Sequence, residues 1–157
     1  SEDKTKYLII SDKSFKKNGE LFYPEDTMNP SFKYWVPEFF GNMFMVNGVL
    51  WPKMNLKQQK YRFVLLNACQ SRYLNIWFET DNGTKVPIQL IRIDSDFFPQ
   101  TVVVEKYLAT IASRIEFILD LSNITGNITL RNDAVTPFPN GDSIDPEFEG
   151  QIMKIIM

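Results

Sequence analysis

The chain has 157 residues, of which 44% are hydrophobic, so it can bury the core of one domain. Its formal net charge of −2 argues against a nucleic-acid partner. It has no histidine and one cysteine, Cys69. Because imidazole is the commonest general base and copper or zinc ligand, this composition excludes Ser-His-Asp and Cys-His catalysis, blue-copper centres and histidine zinc sites. One cysteine also excludes a four-cysteine zinc site and an internal disulfide. No apolar run approaches the roughly 20 residues of a membrane-spanning helix.

The N-terminal third predicts strands around a long irregular segment. A first strand is predicted at 7–10. The stretch 21–41 contains three prolines and seven aromatic residues, a composition typical of a segment that wraps over a surface and buries its rings. Strands are then predicted on both sides of Asn47-Gly48, which is a strong signal for a tight two-residue turn.

The middle of the chain alternates between apolar and other side chains with a period of two. The alternation is clear at 61–66 and at 74–78, and it is typical of half-buried strands, whose successive side chains face opposite ways. The turn residues at 81–83 predict a hairpin that continues into a strand at 86–90.

The segment 102–121 is ambiguous. Apolar residues recur at helical spacing, which would make one amphipathic helix. The β-branched run at 101–104 and the alternation at 115–121 favour strands instead. We favour two strands that turn near Ala112-Ser113. Further strands are predicted at 128–130 and 151–157, with a loop at 137–146. About nine strands in one domain, 1–157, indicate a β-sandwich or barrel.

Several polar residues are candidate sites. Asp94 and Asp96 could hold a divalent cation between two carboxylates, but such pairs more often cap a strand end. Cys69 could be a reactive thiol, but Arg72 is the only nearby cation and no histidine can act as its base. The remaining candidates are an acidic loop and two lysine-rich stretches, which we interpret as turns or as the wet edge of a sheet: Asp142, Asp145, Glu147 and Glu149; Lys13, Lys16 and Lys17; Lys53, Lys57, Lys60 and Arg62.

Four segments, in order, resemble the second cupredoxin-like domain of three-domain multicopper oxidases, in the group of spore-coat laccases, bilirubin oxidases and plant low-phosphate-root proteins. Segment 10–24 reads ISDKSF…NGELFYP and resembles QDRSF…DGSLFYP of that family. Segment 37–52 reads PEFFGN…VNGVLWP and resembles EFFGD…VNGKVWP. Segment 61–72 reads YRFVLLNACQSR and resembles YRFRLLNASNSR. Segment 130–153 resembles the pattern LRNDA…PFPxGDPVDPETxGQIM.

The resemblance implies an all-β, Greek-key cupredoxin-like β-sandwich. In that family copper is held by the first and third domains, through HxH and HCH-type motifs, and neither motif occurs in this chain. We therefore predict no catalytic, cofactor-binding or metal-binding residue here, and an inactive chain by itself. Trp51 and Arg72 match the family pattern, and we assign them roles in packing and strand-end hydrogen bonding.

The function that this resemblance implies is structural. The domain would orient flanking cupredoxin domains of the same polypeptide, and the segment 21–41 could supply a wall of the substrate cleft. The parent would be a copper enzyme that oxidises its substrate one electron at a time and reduces dioxygen to water. An alternative is an independent, non-catalytic β-sandwich binding module. Since a middle domain without its neighbours exposes apolar surface, we also expect the chain alone to self-associate.

Overall fold

A computed structural model describes residues 4–24, 31 and 36–157, and this part of the chain forms fourteen strands and no helix that could span a membrane. The strands are β1 (Thr5–Phe15), β2 (Leu21–Phe22), β3 (Met43–Val46), β4 (Val49–Leu50), β5 (Lys53–Asn55), β6 (Lys60–Asn67), β7 (Leu74–Thr80), β8 (Lys85–Val86), β9 (Ile88–Ile93), β10 (Asp96–Val104), β11 (Tyr107–Ala109), β12 (Arg114–Asp120), β13 (Ile128–Asn132) and β14 (Gln151–Ile156).

The strands form two sheets. The eight-stranded sheet has the order β10-β9-β12-β6-β1-β3-β4, with β2 paired to β1, and the six-stranded sheet has the order β11-β7-β13-β14-β5, with β8 paired to β7. Two pairs, β1–β6 and β14–β5, are parallel and the others are antiparallel. The predicted all-β sandwich is thus confirmed.

One hydrophobic core joins the inner faces of both sheets. Its centre is a cluster of three fully buried phenylalanines, Phe63 and Phe117 from one sheet and Phe78 from the other. The Phe63 and Phe117 rings stack with their centroids 5.4 Å apart, and Phe78 lies tilted against both, at 6.1 and 5.8 Å. Offset and tilted ring pairs of this kind stabilise a core beyond their area burial.

The predicted turn at Asn47-Gly48 is confirmed. Both residues have positive φ, 52° and 83°, as a two-residue turn between twisted antiparallel strands requires. The Asn47 side chain also extends the ladder beside β1: its Nδ2 donates to Tyr7 O at 2.8 Å, and its Oδ1 accepts from Ile9 N at 2.9 Å.

The ambiguous segment 102–121 forms strands, as favoured, with Ala112 at a positive φ of 61° in the turn. The prediction of two strands was wrong in number, since the chain makes β10, β11 and β12 there, with β11 in the opposite sheet. The predicted strand at 86–90 is likewise divided at Pro87, because β8 pairs with β7 whereas β9 pairs with β10 and β12. The chain passes from one sheet to the other at this proline. Because proline has no N–H to donate, it could not complete a backbone hydrogen-bond ladder at this position. Such crossings and several two- or three-residue strands raise the count from about nine to fourteen.

Only parts of the segment 21–41 lie within the described residues. The Tyr23 ring stacks on Phe39 at 5.1 Å, and Phe39 is buried. Leu21 and Phe22, which form β2, are exposed. Residues 25–30 and 32–35, with the rings of Phe32, Tyr34 and Trp35, lie outside the described residues, so the wrapping of the whole segment stays a prediction.

Candidate functional site

The most unusual group in the interior is the side chain of Arg72. It lies just before β7 and is completely buried. Its Nε donates to Asp12 Oδ2 at 3.0 Å, and its Nη2 donates to Gly41 O at 2.7 Å and to Glu149 Oε1 at 2.6 Å. Asp12 is also buried, whereas the Glu149 side chain is 20% exposed. Since a buried charge is tolerated only when it is paired and hydrogen-bonded, these partners are what allows the guanidinium to lie there.

Gly41 closes this network on the side of β1. Its N–H donates to Asp12 Oδ2 at 2.8 Å, the same oxygen that accepts from Arg72. A Cβ at Gly41 would collide with the backbone of Asp12 and Lys13, so the close approach requires glycine. The guanidinium carbon of Arg72 also lies 5.6 Å from the centroid of the Phe44 ring, within cation–π range.

Glu149 reaches Arg72 from the acidic loop. Its second oxygen accepts from Asp145 N at 2.9 Å, and Asp145 Oδ1 in turn accepts from Glu147 N at 2.8 Å and from Phe148 N at 3.2 Å. The interpretation of the loop as turn chemistry therefore fits Asp145, but it missed the role of Glu149. No sequence signal identified it, because the family pattern leaves position 149 open and the partner lies 77 residues earlier.

The four segments that carry the family resemblance meet at this network. Asp12 lies in the first, Gly41 in the second, Arg72 in the third and Glu149 in the fourth. Arg72 therefore ties together parts of the chain that are far apart in sequence. The hydrogen-bonding role expected of Arg72 agrees with this geometry.

Cys69 lies beside the same network and is 4% exposed. Burial, and secondly the neighbouring Asp12 carboxylate, raise the pKa of its thiol well above the ordinary value. Asn67 fixes the turn before it, since its Nδ2 donates to Arg72 O and Ala109 O, both at 3.0 Å, and its Oδ1 accepts from Cys69 N at 3.1 Å. A thiol that stays protonated is a poor nucleophile and a poor metal ligand, so this arrangement is built for rigidity.

Two of the other sequence candidates, Asp94 and Lys16, serve local structure. Asp94 has a positive φ of 49°, and its Oδ1 accepts from Arg114 N at 2.9 Å. Lys16 pairs with Glu20 at 3.2 Å. Within residues 4–24, 31 and 36–157, no group of three or more histidine, cysteine or acidic side chains is placed to hold a metal ion.

The Trp51 side chain contacts the acidic loop, a partner that the sequence did not predict. Its Nε1 donates to Phe148 O at 3.3 Å, and the two rings line an open, mainly apolar cleft of about 300 Å³ together with Met153, Lys53 and Lys154. Trp51 thus packs against Phe148 of the acidic loop and against the hydrophobic core, in agreement with the packing role assigned to it.

No family model matches the chain. It is 33% identical over 152 residues to "Multicopper oxidase LPR1" of Arabidopsis thaliana, a match that covers 96% of this chain and 25% of that protein. It is also 33% identical over 154 residues to "Laccase" of Bacillus subtilis (strain 168), covering 94% of this chain and 28% of that protein. The chain therefore spans about a quarter of the length of the curated relatives that it matches.

Solved structures show the same fold. The McoA multicopper oxidase 2F4 variant from Aquifex aeolicus matches with a TM-score of 0.80 and 20% identity over 99% of this chain and 32% of that chain. A multicopper oxidase from Campylobacter jejuni, described as a metallo-oxidase, matches with a TM-score of 0.73 and 23% identity over 98% of this chain and 30% of that chain. The relatives and the fold together show that the chain is a cupredoxin-like β-sandwich domain of the kind found in multicopper oxidases.

Proposed function

We propose that the chain is the copper-free middle domain of a laccase-like multicopper oxidase and that it orients the copper-binding domains on either side of it. Two observations carry the proposal. Between 94% and 96% of this chain matches about a quarter of the length of a multicopper oxidase and of a laccase, and the chain has no histidine. The rest of such a polypeptide would supply the metal centres. The independent-module alternative is not favoured by relatives of this kind.

The residues present do not fit a copper ion. Copper sites in proteins use imidazole and thiolate ligands, and the sequence has no imidazole. The one thiol, of Cys69, is buried and its pKa is raised. The Asp12 carboxylate, which neighbours this thiol, already accepts hydrogen bonds from Arg72 and Gly41. We therefore assign this chain no step of the oxidation chemistry.

What supports a scaffold role is the rigidity of one end of the sandwich. Arg72, just before β7, forms hydrogen bonds with three other parts of the chain. Its partners are Asp12 on β1, Gly41 before β3 and Glu149 in the acidic loop. The Asn67 side chain adds the end of β11 through Ala109 O. Because metal sites shared between domains tolerate little displacement of their ligands, a spacer with cross-linked loops suits the task.

The parent polypeptide would couple one-electron oxidation of its substrate to the reduction of dioxygen to water. Leu21 and Phe22, exposed on β2, supply apolar surface at the start of the segment proposed to line the substrate cleft.

Copper content and oxidase activity test this proposal. The chain alone and the polypeptide translated from the complete reading frame would be purified, loaded with copper and assayed by atomic emission and by oxidation of a phenol. We expect copper and turnover only in the longer polypeptide. The Cys69→Ser variant of the chain is the matched control, because removing the one thiol should change neither reading. Stoichiometric copper or turnover in the chain alone would contradict the proposal.

A further inference from the structure

The outer face of the eight-stranded sheet has an ion-paired region and, beside it, an apolar region. Over β6, β12 and β9, Glu116 accepts from Arg62 Nη2 at 2.5 Å and pairs with Arg92 Nη1 at 3.4 Å. Lys60 on β6 also pairs with Asp120 on β12, at 3.3 Å. Cross-strand ion pairs are typical of a sheet face that meets water.

The apolar region lies over β6, β1, β3 and β4, and we call it the apolar half-face. Alternation with the buried Leu8 and Ile10 directs Tyr7 and Ile9 away from the core, and these two are 62% and 52% exposed. The register places Tyr7 beside Val64, Ile9 beside Leu66, and Met45 beside Leu50. The half-face consists of Tyr7, Ile9, Met45, Leu50, Val64 and Leu66.

The outer face of the second sheet differs from the apolar half-face, because charged side chains cover it. It carries the pairs Glu79–Arg131, at 3.3 Å, and Lys106–Asp133. Lys106 also lies over the Trp77 ring, 4.0 Å from its centroid, and covers that ring with charge. No charged side chain covers Tyr7 or Ile9 in this way among the described residues. A contiguous apolar patch with a charged border marks an interaction surface.

We propose that the apolar half-face docks against a flanking domain of the same polypeptide. This inference rests on the proposed function and names the surface through which the domain would act. The relatives support a covalently linked occupant, because the region like this chain makes up only 25–28% of each of two of them. A linked domain has an effective concentration in the millimolar range, which favours it over a free second copy of the chain.

The half-face is also preorganised for docking. The Asn47 side chain bonds to the backbone at both Tyr7 and Ile9 and so holds the β3–β4 hairpin against β1. A partner would therefore meet a rigid surface, and little conformational entropy would be lost on contact. Covering the exposed part of side chains such as Ile9 on association would supply a hydrophobic driving force.

Thiol labelling tests the proposal. Ile9→Cys and, as matched control, Lys60→Cys in the ion-paired region of the same sheet, where the Lys60 side chain is 64% exposed, would be made in a Cys69→Ser background. Maleimide labelling at each introduced thiol would be followed by peptide mass spectrometry, in the chain alone and in the polypeptide from the complete reading frame. We expect both thiols to label readily in the chain alone. In the longer polypeptide I9C should label at least about tenfold more slowly, because labelling then requires the interface to open, while K60C stays reactive.

Equal labelling of I9C in both proteins would overturn the proposal. So would protection that rises with concentration in the chain alone and is missing from the longer polypeptide, since a second copy would then be the occupant. If I9C lowers the melting temperature, Tyr7→Cys gives the same test at the other exposed member. Labelling needs neither copper nor turnover. A copper-loaded, active polypeptide with a reactive I9C thiol would therefore refute the docking alone, and a protected but copper-free polypeptide would refute the proposed function alone.

Discussion

Replacing Arg72 by methionine removes the cation at the centre of the buried network but keeps much of the side-chain volume. The variant loses hydrogen bonds to Asp12, Gly41 and Glu149. It leaves the Asp12 carboxylate, 1% exposed, without its counter-ion. Removing one partner of a buried ion pair costs about 3–5 kcal/mol. Since a domain is stable by about 5–15 kcal/mol, R72M should lower the free energy of unfolding by a large fraction.

Two companion variants separate charge from geometry. Arg72→Lys keeps the charge but not the planar fork that reaches several acceptors, so it should cost about 1–3 kcal/mol. The double variant D12N/R72M removes both charges, and it should be more stable than R72M alone by about 1–3 kcal/mol because the two sites are coupled. Glu149 should contribute less to the coupling, because its partly exposed side chain can turn to water.

Urea unfolding at pH 7, followed by the fluorescence of the three tryptophans, measures each difference. Unchanged m-values would show that the variants unfold from the same compact state. A cost of less than about 1 kcal/mol for R72M would show that the network is not a major support of the fold. Costs of D12N and R72M that simply add would refute the coupling.

Three further outcomes are expected. The Cys69 thiol, whose pKa is raised by burial and by Asp12, should resist iodoacetamide at pH 8 in the native chain and react in urea; fast native labelling would contradict its burial. Ser122 hydrogen bonds, and then Lys60, hold the pKa of Asp120 below its ordinary value, so this carboxylate should stabilise the fold above about pH 4 and lose that effect as the pH falls through its lower folded value. Asp120→Asn should therefore lower the urea midpoint at pH 7 and leave it unchanged at pH 2; an equal decrease at both would exclude a charge effect. Asn47→Asp keeps the acceptor for Ile9 N but loses the donor to Tyr7 O, so it should cost about 1 kcal/mol in thermal unfolding, against a larger loss for Asn47→Ala; an equally stable Asn47→Ala would show that the side-chain bonds do not matter.

Much of the local structure could be read from the sequence. The alternation at 61–66 and 74–78 identified β6 and β7 and their buried faces. Asn47-Gly48 identified the hairpin turn, because few other residue pairs accept two positive φ angles. The resemblance of four segments identified the family, and the missing histidines showed that this chain could not build an imidazole metal site.

The candidate site was less accessible. Arg72 was expected to form hydrogen bonds, but nothing local shows that its partners are Asp12, 60 residues earlier, and Glu149, 77 residues later. Acidic residues near a turn look alike in sequence, whether they cap a backbone, as Asp145 does, or reach a buried cation, as Glu149 does. Only packing distinguishes them.

What the amino-acid order alone determined was the strand character of most of the chain, its turns, which side of each strand is apolar, and the lack of soft nitrogen ligands. What the tertiary structure decided was which strands are neighbours: the transfer of the chain between sheets at Pro87 and the placement of β11 opposite β10 and β12. The same assembly left Tyr7 and Ile9 side by side with Val64 and Leu66 on an uncovered face. The reason is that side-chain periodicity sets which face of a strand is buried, whereas the N–H and C=O groups that join strands are the same at almost every residue, so partners are chosen by the packing of the whole core.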